Sequence, residues 1–130
     1  MKNGKRQGIF IPPGRKPWPH EMRVANVLSE NGHCVEFLEE GSLHSPDILL
    51  DGVEYEIKSP ENFRCITIER AIKKALKQSG NLIIDVSRMK NANYKKICNI
   101  LLLQIRNKKQ IKKMIMITKC GKMVDVFELL

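Results

Sequence analysis

Residues 46–59 read Pro-Asp-Ile-Leu-Leu-Asp-Gly-Val-Glu-Tyr-Glu-Ile-Lys-Ser, and they predict a β-hairpin. Asp51-Gly52 lies between two apolar runs, where it favours a two-residue type I′ turn because both central residues of that turn need φ > 0. The turn sets the register of the two strands. The expected pairs are Leu50 with Val53, Leu49 with Glu54, Ile48 with Tyr55, and Asp47 with Glu56.

Acidic groups concentrate on one face of this hairpin, because side chains alternate along a strand. The polar face carries Asp47, Glu54, Glu56 and Lys58, and the apolar face carries Ile48, Leu50, Val53, Tyr55 and Ile57. Directly opposed carboxylates destabilise an antiparallel pair unless something compensates. A divalent cation compensates, and carboxylate oxygens suit Mg²⁺ or Mn²⁺, with water and a substrate phosphate completing the coordination. The alternative is a surface hairpin whose polar face meets solvent.

A helix is predicted from Pro17-Trp18-Pro19-His20 to a stop at Gly32. Apolar residues follow Glu21 by three, four and seven positions, so Glu21 lies on the apolar stripe. There it could supply a third metal ligand or hold a metal-bound water, or it could serve the helix cap and dipole. His20 is a candidate general base, or part of the proline-rich approach to the helix. Trp18 is expected to pin this helix, with stacking on a base as the alternative.

Three parts of this pattern together resemble the PD-(D/E)xK nuclease superfamily, whose core is the restriction-endonuclease-like fold. They are Glu21 on a first helix, Pro46-Asp47 on a strand, and Glu56-Ile57-Lys58 on the next strand. The run from Pro19 to Gln78 is also similar to the C-terminal nuclease toxin domains of contact-dependent growth-inhibition proteins, several of which cleave tRNA.

The resemblance implies a role for each of these residues. Asp47 and Glu56 would bind Mg²⁺ or Mn²⁺, and the Ile57 backbone carbonyl would add a ligand. Lys58 would orient or activate water, and Glu21 would support the site, reaching the metal through water. A bound divalent ion lowers the pKa of its water and neutralises charge on the phosphate, while an ammonium group stabilises the transition state.

Two classes of function stay open on the sequence. The first is a metal-dependent nuclease acting on RNA, with tRNA favoured and DNA as the main alternative. The second is a non-catalytic nucleic-acid-binding domain, although a pure binder gains nothing from acids that face phosphates. The resemblance further implies a toxin that acts in the cytoplasm of a target cell, delivered within a larger secreted protein. It also implies an immunity protein with an acidic surface, and otherwise a monomer.

Composition agrees with a polyanionic partner. The 130 residues include 23 Lys and Arg against 14 Asp and Glu, a net charge of +9, and such a surplus favours nucleic acid through counterion release. The four cysteines form no CxxC pair, so we expect reduced, core or half-buried thiols and place Zn²⁺ behind Mg²⁺ and Mn²⁺. No apolar run is long enough to span a membrane, and the N-terminus does not resemble a signal peptide.

The remaining chain alternates strands and helices. Strands are expected at His33–Glu39 (closed by Gly41-Ser42), Asn81–Val86, Met114–Thr118 and Met123–Leu129, and a helix at Tyr94–Lys108 with Ile97, Ile100, Leu101, Leu103 and Ile105 buried. The nearly continuous apolar run of Asn81–Val86 indicates a central strand with parallel neighbours. The order predicts an α/β domain with a mixed sheet and helices on both faces. Residues 1–16 read as a basic flexible lead-in, and residues 17–130 as a single domain.

A basic helix is expected between a cap at Thr67 and a stop at Gly80. Its polar side carries Arg70, Lys73, Lys74 and Lys77. A solvated charge run is the usual explanation of such a side, but in the resembled family the helix after the lysine-bearing strand borders the active site. The candidate nucleic-acid contacts are therefore Lys74 and Gln78, with Arg64 and Arg70 behind them and His20 beside Glu21.

Overall fold

A seven-stranded mixed sheet organises the computed structural model, which describes residues 8–39 and 45–130. The strands follow one another across the sheet in chain order: β1 Gly8–Phe10, β2 Cys34–Phe37, β3 Ile48–Leu50, β4 Val53–Lys58, β5 Asn81–Asp85, β6 Lys113–Ile117 and β7 Met123–Asp125. The helices are α1 Pro19–Glu30, α2 Cys65–Ala75 and α3 Tyr94–Asn107, with a 3₁₀-helix at Val126–Leu129. Strands β4, β5 and β6 are parallel, which confirms the expectation for the central strand.

The predicted hairpin register is confirmed for three pairs, Ile48 with Tyr55, Leu49 with Glu54 and Leu50 with Val53. Asp51 and Gly52 have φ of 50° and 85°, as a type I′ turn requires. The Asp51 carboxylate also accepts the Cys34 backbone N–H at 2.9 Å, so the turn is tied to β2.

Two hydrophobic cores lie on opposite faces of the sheet, so the prediction of helices on both faces is confirmed. One core joins α1 to β2, β3 and β4 through Leu28, Phe37, Ile48 and Ile57. The other joins α2 and α3 to β5 and β6 through Ile72, Leu82, Leu101 and Met114. Because Ile48 and Ile57 face α1, alternation directs Asp47 and Glu56 toward the α2 face of the sheet. The mixed α/β architecture is as expected, and the restriction-endonuclease-like assignment of its core stays a prediction.

The predicted lead-in is wrong for residues 8–16. Gly8–Phe10 pairs with β2 as a parallel edge strand, and Arg15 is buried, with its Nε donating to the Leu38 carbonyl at 2.9 Å. A short strand without apolar alternation leaves no sequence pattern, because its order comes from pairing with β2. Residues 1–7 of the lead-in, and Gly41-Ser42, lie outside the described residues.

The boundaries predicted for α2 are also wrong. Arg64, and not Thr67, is the N-cap, and the helix ends at Ala75. Gly80 is no helix stop: a Cβ on it would lie 2.6 Å from the Gln110 carbonyl oxygen, so a glycine is needed there for close approach of two backbones.

Smaller corrections concern the C-terminal half and the thiols. On α3, Ile97 and Leu101 are buried as predicted, Ile100 and Ile105 are only half-buried, and Leu103 is 50% exposed. Gln104 is buried instead, because positions 97, 101 and 104 share one face of the helix. Residues 126–129 form a 3₁₀-helix and not the end of a strand. Cys34 and Cys98 are half-buried as predicted, whereas Cys65 and Cys120 are exposed. Within the described residues, none of the helices has the length and apolar character needed to cross a bilayer.

Candidate active site

Asp47 directly precedes the first residue of β3. Its backbone N–H donates to the Tyr55 carbonyl at 3.1 Å, and its Oδ2 accepts the Ile57 N–H at 2.8 Å. The predicted register made Asp47 the ladder partner of Glu56, but the regular pairing of β3 with β4 does not extend to Asp47. Instead, its carboxylate accepts the Ile57 N–H of β4. If β3 began earlier in the chain, a backbone carbonyl of β3 would accept this N–H. The bond from the Ile57 N–H holds the Asp47 side chain beside Glu56.

Glu56 lies next to Asp47, and it is only 6% exposed. Its Oε2 lies 3.6 Å from the Lys58 Nζ. Its Oε1 is buried and has no hydrogen-bond partner among the described residues. Buried polar atoms without partners are uncommon in folded proteins, so this oxygen is available to a ligand.

Both carboxyl groups hold their protons more tightly than usual. Burial, followed by the charge of Asp47, raises the pKa of Glu56 from its ordinary 4.5 to about 8, against the opposing effect of the Lys58 ammonium. Burial also raises the pKa of Asp47, where the Ile57 N–H opposes the shift and the charge of Glu21 adds to it. The two acids repel each other in a site with little solvent, which is the electrostatic condition that a bound cation relieves.

Glu21 serves the helix start and also faces the acids. Its Oε1 accepts the Trp18 backbone N–H at 2.8 Å, and its Oε2 lies 3.4 Å from an Arg15 guanidinium nitrogen. Glu21 thus caps α1 and also lies close enough to Asp47 for its charge to act on it. Helix α1 itself packs on the face of the sheet opposite Glu56. Across residues 8–39 and 45–130, no three acidic, histidine or cysteine side chains converge as a ready-made metal cluster.

A cavity of about 360 Å³ opens just before the start of β3, and Glu21, Asp47 and Glu56 are among the residues that line it. Its other lining residues are Arg15, Trp18, Leu38, Glu39, Ser45, Pro46 and Gln78. Gln78 enters from the segment after α2, and its buried Oε1 lacks a partner among the described residues. The cavity is therefore lined from both faces of the sheet. We call it the acid cavity.

Basic residues lie beside the acid cavity. Lys58, which pairs with Glu56, also lines a second cavity of about 350 Å³ together with Arg70 and Lys74. Of the predicted nucleic-acid contacts, Gln78 is thus brought to the acids, and Arg70 and Lys74 are brought to Lys58. Arg64 and His20 line neither cavity.

Sequence reasoning missed one residue of this site, Arg15, and gave Trp18 a role in binding only as the alternative. Arg15 was assigned to the lead-in, yet it is buried against Glu21 and lies over the Phe37 ring at 5.3 Å from the centroid. Trp18 was expected to pin α1, yet its side chain is 65% exposed. The signals were weak: a buried carboxylate at Glu21 implied a cation, but nothing in the spacing indicated which one.

Comparisons with known proteins show the family to which this chain belongs. The family model of the contact-dependent growth inhibition CdiA C-terminal domain matches residues 44–123. The chain is also similar to a solved CdiA-CT/CdiI toxin and immunity complex from Burkholderia pseudomallei, at 19% identity and a TM-score of 0.62. That match covers 93% of this chain and 95% of the other, and it shows the fold alone. A comparison with curated proteins found no match. Because the family model spans more than half of its residues, the chain belongs to the CdiA C-terminal domain family and is a toxin domain of contact-dependent growth inhibition.

Proposed function

We propose that the chain is a metal-dependent nuclease that hydrolyses phosphodiester bonds of RNA, most favourably tRNA, with DNA as the alternative substrate. The observation that carries the proposal is the buried pair of Asp47 and Glu56, with one Glu56 oxygen unpartnered and Lys58 alongside. Pairs of perturbed acids in a cavity are characteristic of functional sites.

The donor set fits Mg²⁺ or Mn²⁺ better than Zn²⁺. Mg²⁺ is commonly held by one or two carboxylates and completes its octahedron with water and substrate phosphate, so two side chains suffice. Among the described residues that line the acid cavity there is no thiol or imidazole, the groups that Zn²⁺ favours. The Ile57 N–H points to Asp47, and since both polar groups of a strand residue point to the same side, its carbonyl faces the same edge and would be the third donor.

Each residue has a distinct task in this reaction. A divalent ion, when bound, would acidify a water and neutralise charge on the phosphate. Asp47 and Glu56 would hold the ion in place, and the Ile57 N–H keeps Asp47 in its orientation. The Lys58 ammonium lies within ion-pair distance of Glu56, where it orients the attacking water and stabilises negative charge on the phosphate oxygens. Glu21, anchored by Arg15, adds negative charge that favours cation binding.

The preference for RNA comes from the family resemblance, whereas the net charge of +9 favours nucleic acid of either kind. Arg70 and Lys74 beside Lys58 provide phosphate contacts on the open side of the site. A silent binding domain is the second candidate. It is favoured by one observation, that no three metal-ligating side chains converge in the part of the chain that the structure describes.

The proposal includes a protein partner. The similar structure is a toxin and immunity complex, and we propose that this chain also has an immunity protein. Its surface should be acidic, because this toxin carries a net charge of +9 and opposite charges speed association.

One experiment separates the candidates. Wild type and Asp47→Ala are incubated with total tRNA, plasmid DNA and genomic DNA, with Mg²⁺, Mn²⁺, Zn²⁺ or excess EDTA. Fragmented tRNA beside intact plasmid supports the RNA nuclease, and the reverse supports a DNase. Cleavage that continues in EDTA, or in Asp47→Ala at the wild-type rate, would refute the metal mechanism. Binding without cleavage under every metal would favour the silent domain.

A further inference from the structure

Trp18 is the most exposed large apolar side chain of the described residues, at 65%. It lines the acid cavity and also a neighbouring cavity of about 530 Å³, whose other residues are Pro13, Gly14, Arg15, Lys16 and Glu39. The volume lies within the roughly 300–1,000 Å³ range of small-ligand sites. We call this second space the tryptophan cavity. Since the two cavities share Trp18, Arg15 and Glu39, a molecule that bridges them would pass over the indole ring.

We propose that the tryptophan cavity binds one unpaired nucleobase adjacent to the phosphate held in the acid cavity, by stacking that base on Trp18. The inference rests on the proposed nuclease function and adds to it the recognition of single-stranded nucleic acid. Stacking on an aromatic ring is the usual way in which proteins hold splayed-out bases. An exposed cation, Lys16, lies at the same cavity and suits the backbone phosphate of that nucleotide.

The walls of the tryptophan cavity are held in place before any ligand arrives. Pro13-Gly14 forms a tight turn, with the Arg15 N–H donating to the Pro12 carbonyl at 3.1 Å and Gly14 at φ 83°, as a type II turn requires. The Arg15 Nε is bonded to the Leu38 carbonyl. A preformed site loses less conformational entropy on binding.

The backbone of Trp18 is equally fixed. Prolines precede and follow it, which restricts rotation on both sides. Its backbone N–H donates to the Glu21 Oε1 at 2.8 Å, so the backbone at Trp18 is tied to a residue that itself lines the acid cavity. Trp18 is nevertheless 65% exposed, so most of its surface is open to solvent and to a ligand. This arrangement favours a binding surface over a structural anchor.

The chain offers its own probe, because Trp18 is its single tryptophan. In excess EDTA, tryptophan emission of the wild type is followed during titration with a short single-stranded RNA. Parallel titrations use the same strand with abasic positions, a long double-stranded RNA, and inorganic phosphate. We expect saturable quenching by the intact single strand alone. Equal quenching by the abasic strand or by the duplex would overturn the inference, as would binding seen by anisotropy with unchanged tryptophan emission or the absence of any binding.

Variants make the test quantitative. By anisotropy of a labelled single strand, Trp18→Leu should bind roughly 5- to 100-fold more weakly, as the loss of one base stack implies, whereas Trp18→Phe should lose much less. Both should bind the duplex as the wild type does. Leu103→Ala is the matched control, since Leu103 is 50% exposed on α3 and lines neither cavity. Circular dichroism melting checks that each variant is folded.

The outcomes separate this inference from the nuclease proposal. If RNA is cut with metal but Trp18→Leu binds single strands as tightly as wild type, stacking is wrong and the nuclease stands. If the intact strand quenches Trp18 yet nothing is cut under any metal, the chain binds unpaired bases and the nuclease proposal fails.

Discussion

Glu56 in β4 and Asp85 in β5 are both buried carboxylates on neighbouring parallel strands, yet their surroundings are opposite. Asp85 is fully buried, and both of its oxygens accept hydrogen bonds, from the Ser59 hydroxyl at 3.1 Å and the Ser87 N–H at 3.0 Å. Glu56 has a second acid beside it and a buried oxygen without a partner. The fold satisfies the buried carboxylate of Asp85, whereas that of Glu56 keeps an unused acceptor, and this is why the candidate site is placed at Glu56.

The largest expected effect is on cleavage. Asp47→Asn or Glu56→Gln should lower the rate at least about 1000-fold, since several kcal/mol of transition-state stabilisation by the ion would be lost. Initial rates with the cleaved substrate measure this. Glu61→Gln is the matched control, because Glu61 follows β4 but its side chain is 72% exposed. A rate within a few-fold of wild type for Asp47→Asn would contradict the assignment.

Stability should respond in the opposite way at the two acids. Asp85→Ala leaves the Ser59 hydroxyl and the Ser87 N–H without an acceptor, so the free energy of unfolding should fall by about 2–4 kcal/mol. Glu56→Gln removes a buried charge beside Asp47, so the free energy of unfolding should rise by about 1–2 kcal/mol at pH 8.5. Urea unfolding of both variants measures the contrast. Destabilisation by Glu56→Gln as large as that by Asp85→Ala would remove the distinction.

The pH dependence of stability should come from Glu56. Its pKa in the folded state, about 8, lies above its ordinary 4.5, so the folded protein keeps a proton that the unfolded chain releases. This contribution is fully present below about pH 4.5 and is lost as the pH rises through about 8, in the metal-free protein. Urea unfolding between pH 5 and 9 should show a loss of about 1–2 kcal/mol that is absent in Glu56→Gln.

Adding Mn²⁺ sharpens the same test, because the ion competes with these protons. The melting temperature should rise with Mn²⁺ by several degrees at pH 8.5 and much less at pH 5.5, as expected for about 1–2 kcal/mol of linked binding energy. Asp85→Asn should keep this shift and Asp47→Asn should lose it. A shift that is equal at both pH values would argue for binding elsewhere.

The smallest expected effect concerns the basic residues around the site. Lys74→Ala removes a cation beside Lys58 and should weaken RNA binding by about 3- to 10-fold. The slope of log K against log salt concentration should become shallower by about one unit. Lys95 lies on α3 and lines none of the cavities described above, so Lys95→Ala serves as the control. If both variants lose affinity equally, the partner is attracted by the net charge as a whole and not by the α2 surface.

Local signals predicted much of the fold. The turn at Asp51-Gly52 defined the register of β3 and β4, and the run at Asn81–Val86 identified β5 as a central parallel strand. Predictions failed where contacts distant along the chain took over. The end of α2 and the position of Gly80 depend on the approach of the Gln110 backbone, and no spacing in residues 65–80 reports it.

The residues of the candidate site were also predictable only where local sequence patterns determine their positions. Alternation along the two strands of the hairpin grouped Asp47, Glu56 and Lys58, and the helical stripe made Glu21 an acid in need of a partner. Neither pattern indicated that the partner is Arg15, which is anchored to Leu38 across 23 positions of the chain. The exposure of Trp18 was equally hidden, because a proline-flanked tryptophan is compatible with both a buried anchor and an open platform.

From the sequence alone came the hairpin, the central strand, and the acids that share one face, because turn preference and side-chain periodicity act over a few residues. The tertiary structure alone decided that β3 begins only at Ile48, leaving the Ile57 N–H to the Asp47 side chain. It also decided that residues 8–16 close the site and that one oxygen of Glu56 remains without a partner. These features depend on which distant segments compete for the same hydrogen bonds and the same space, and that competition is resolved only when the whole sheet is assembled.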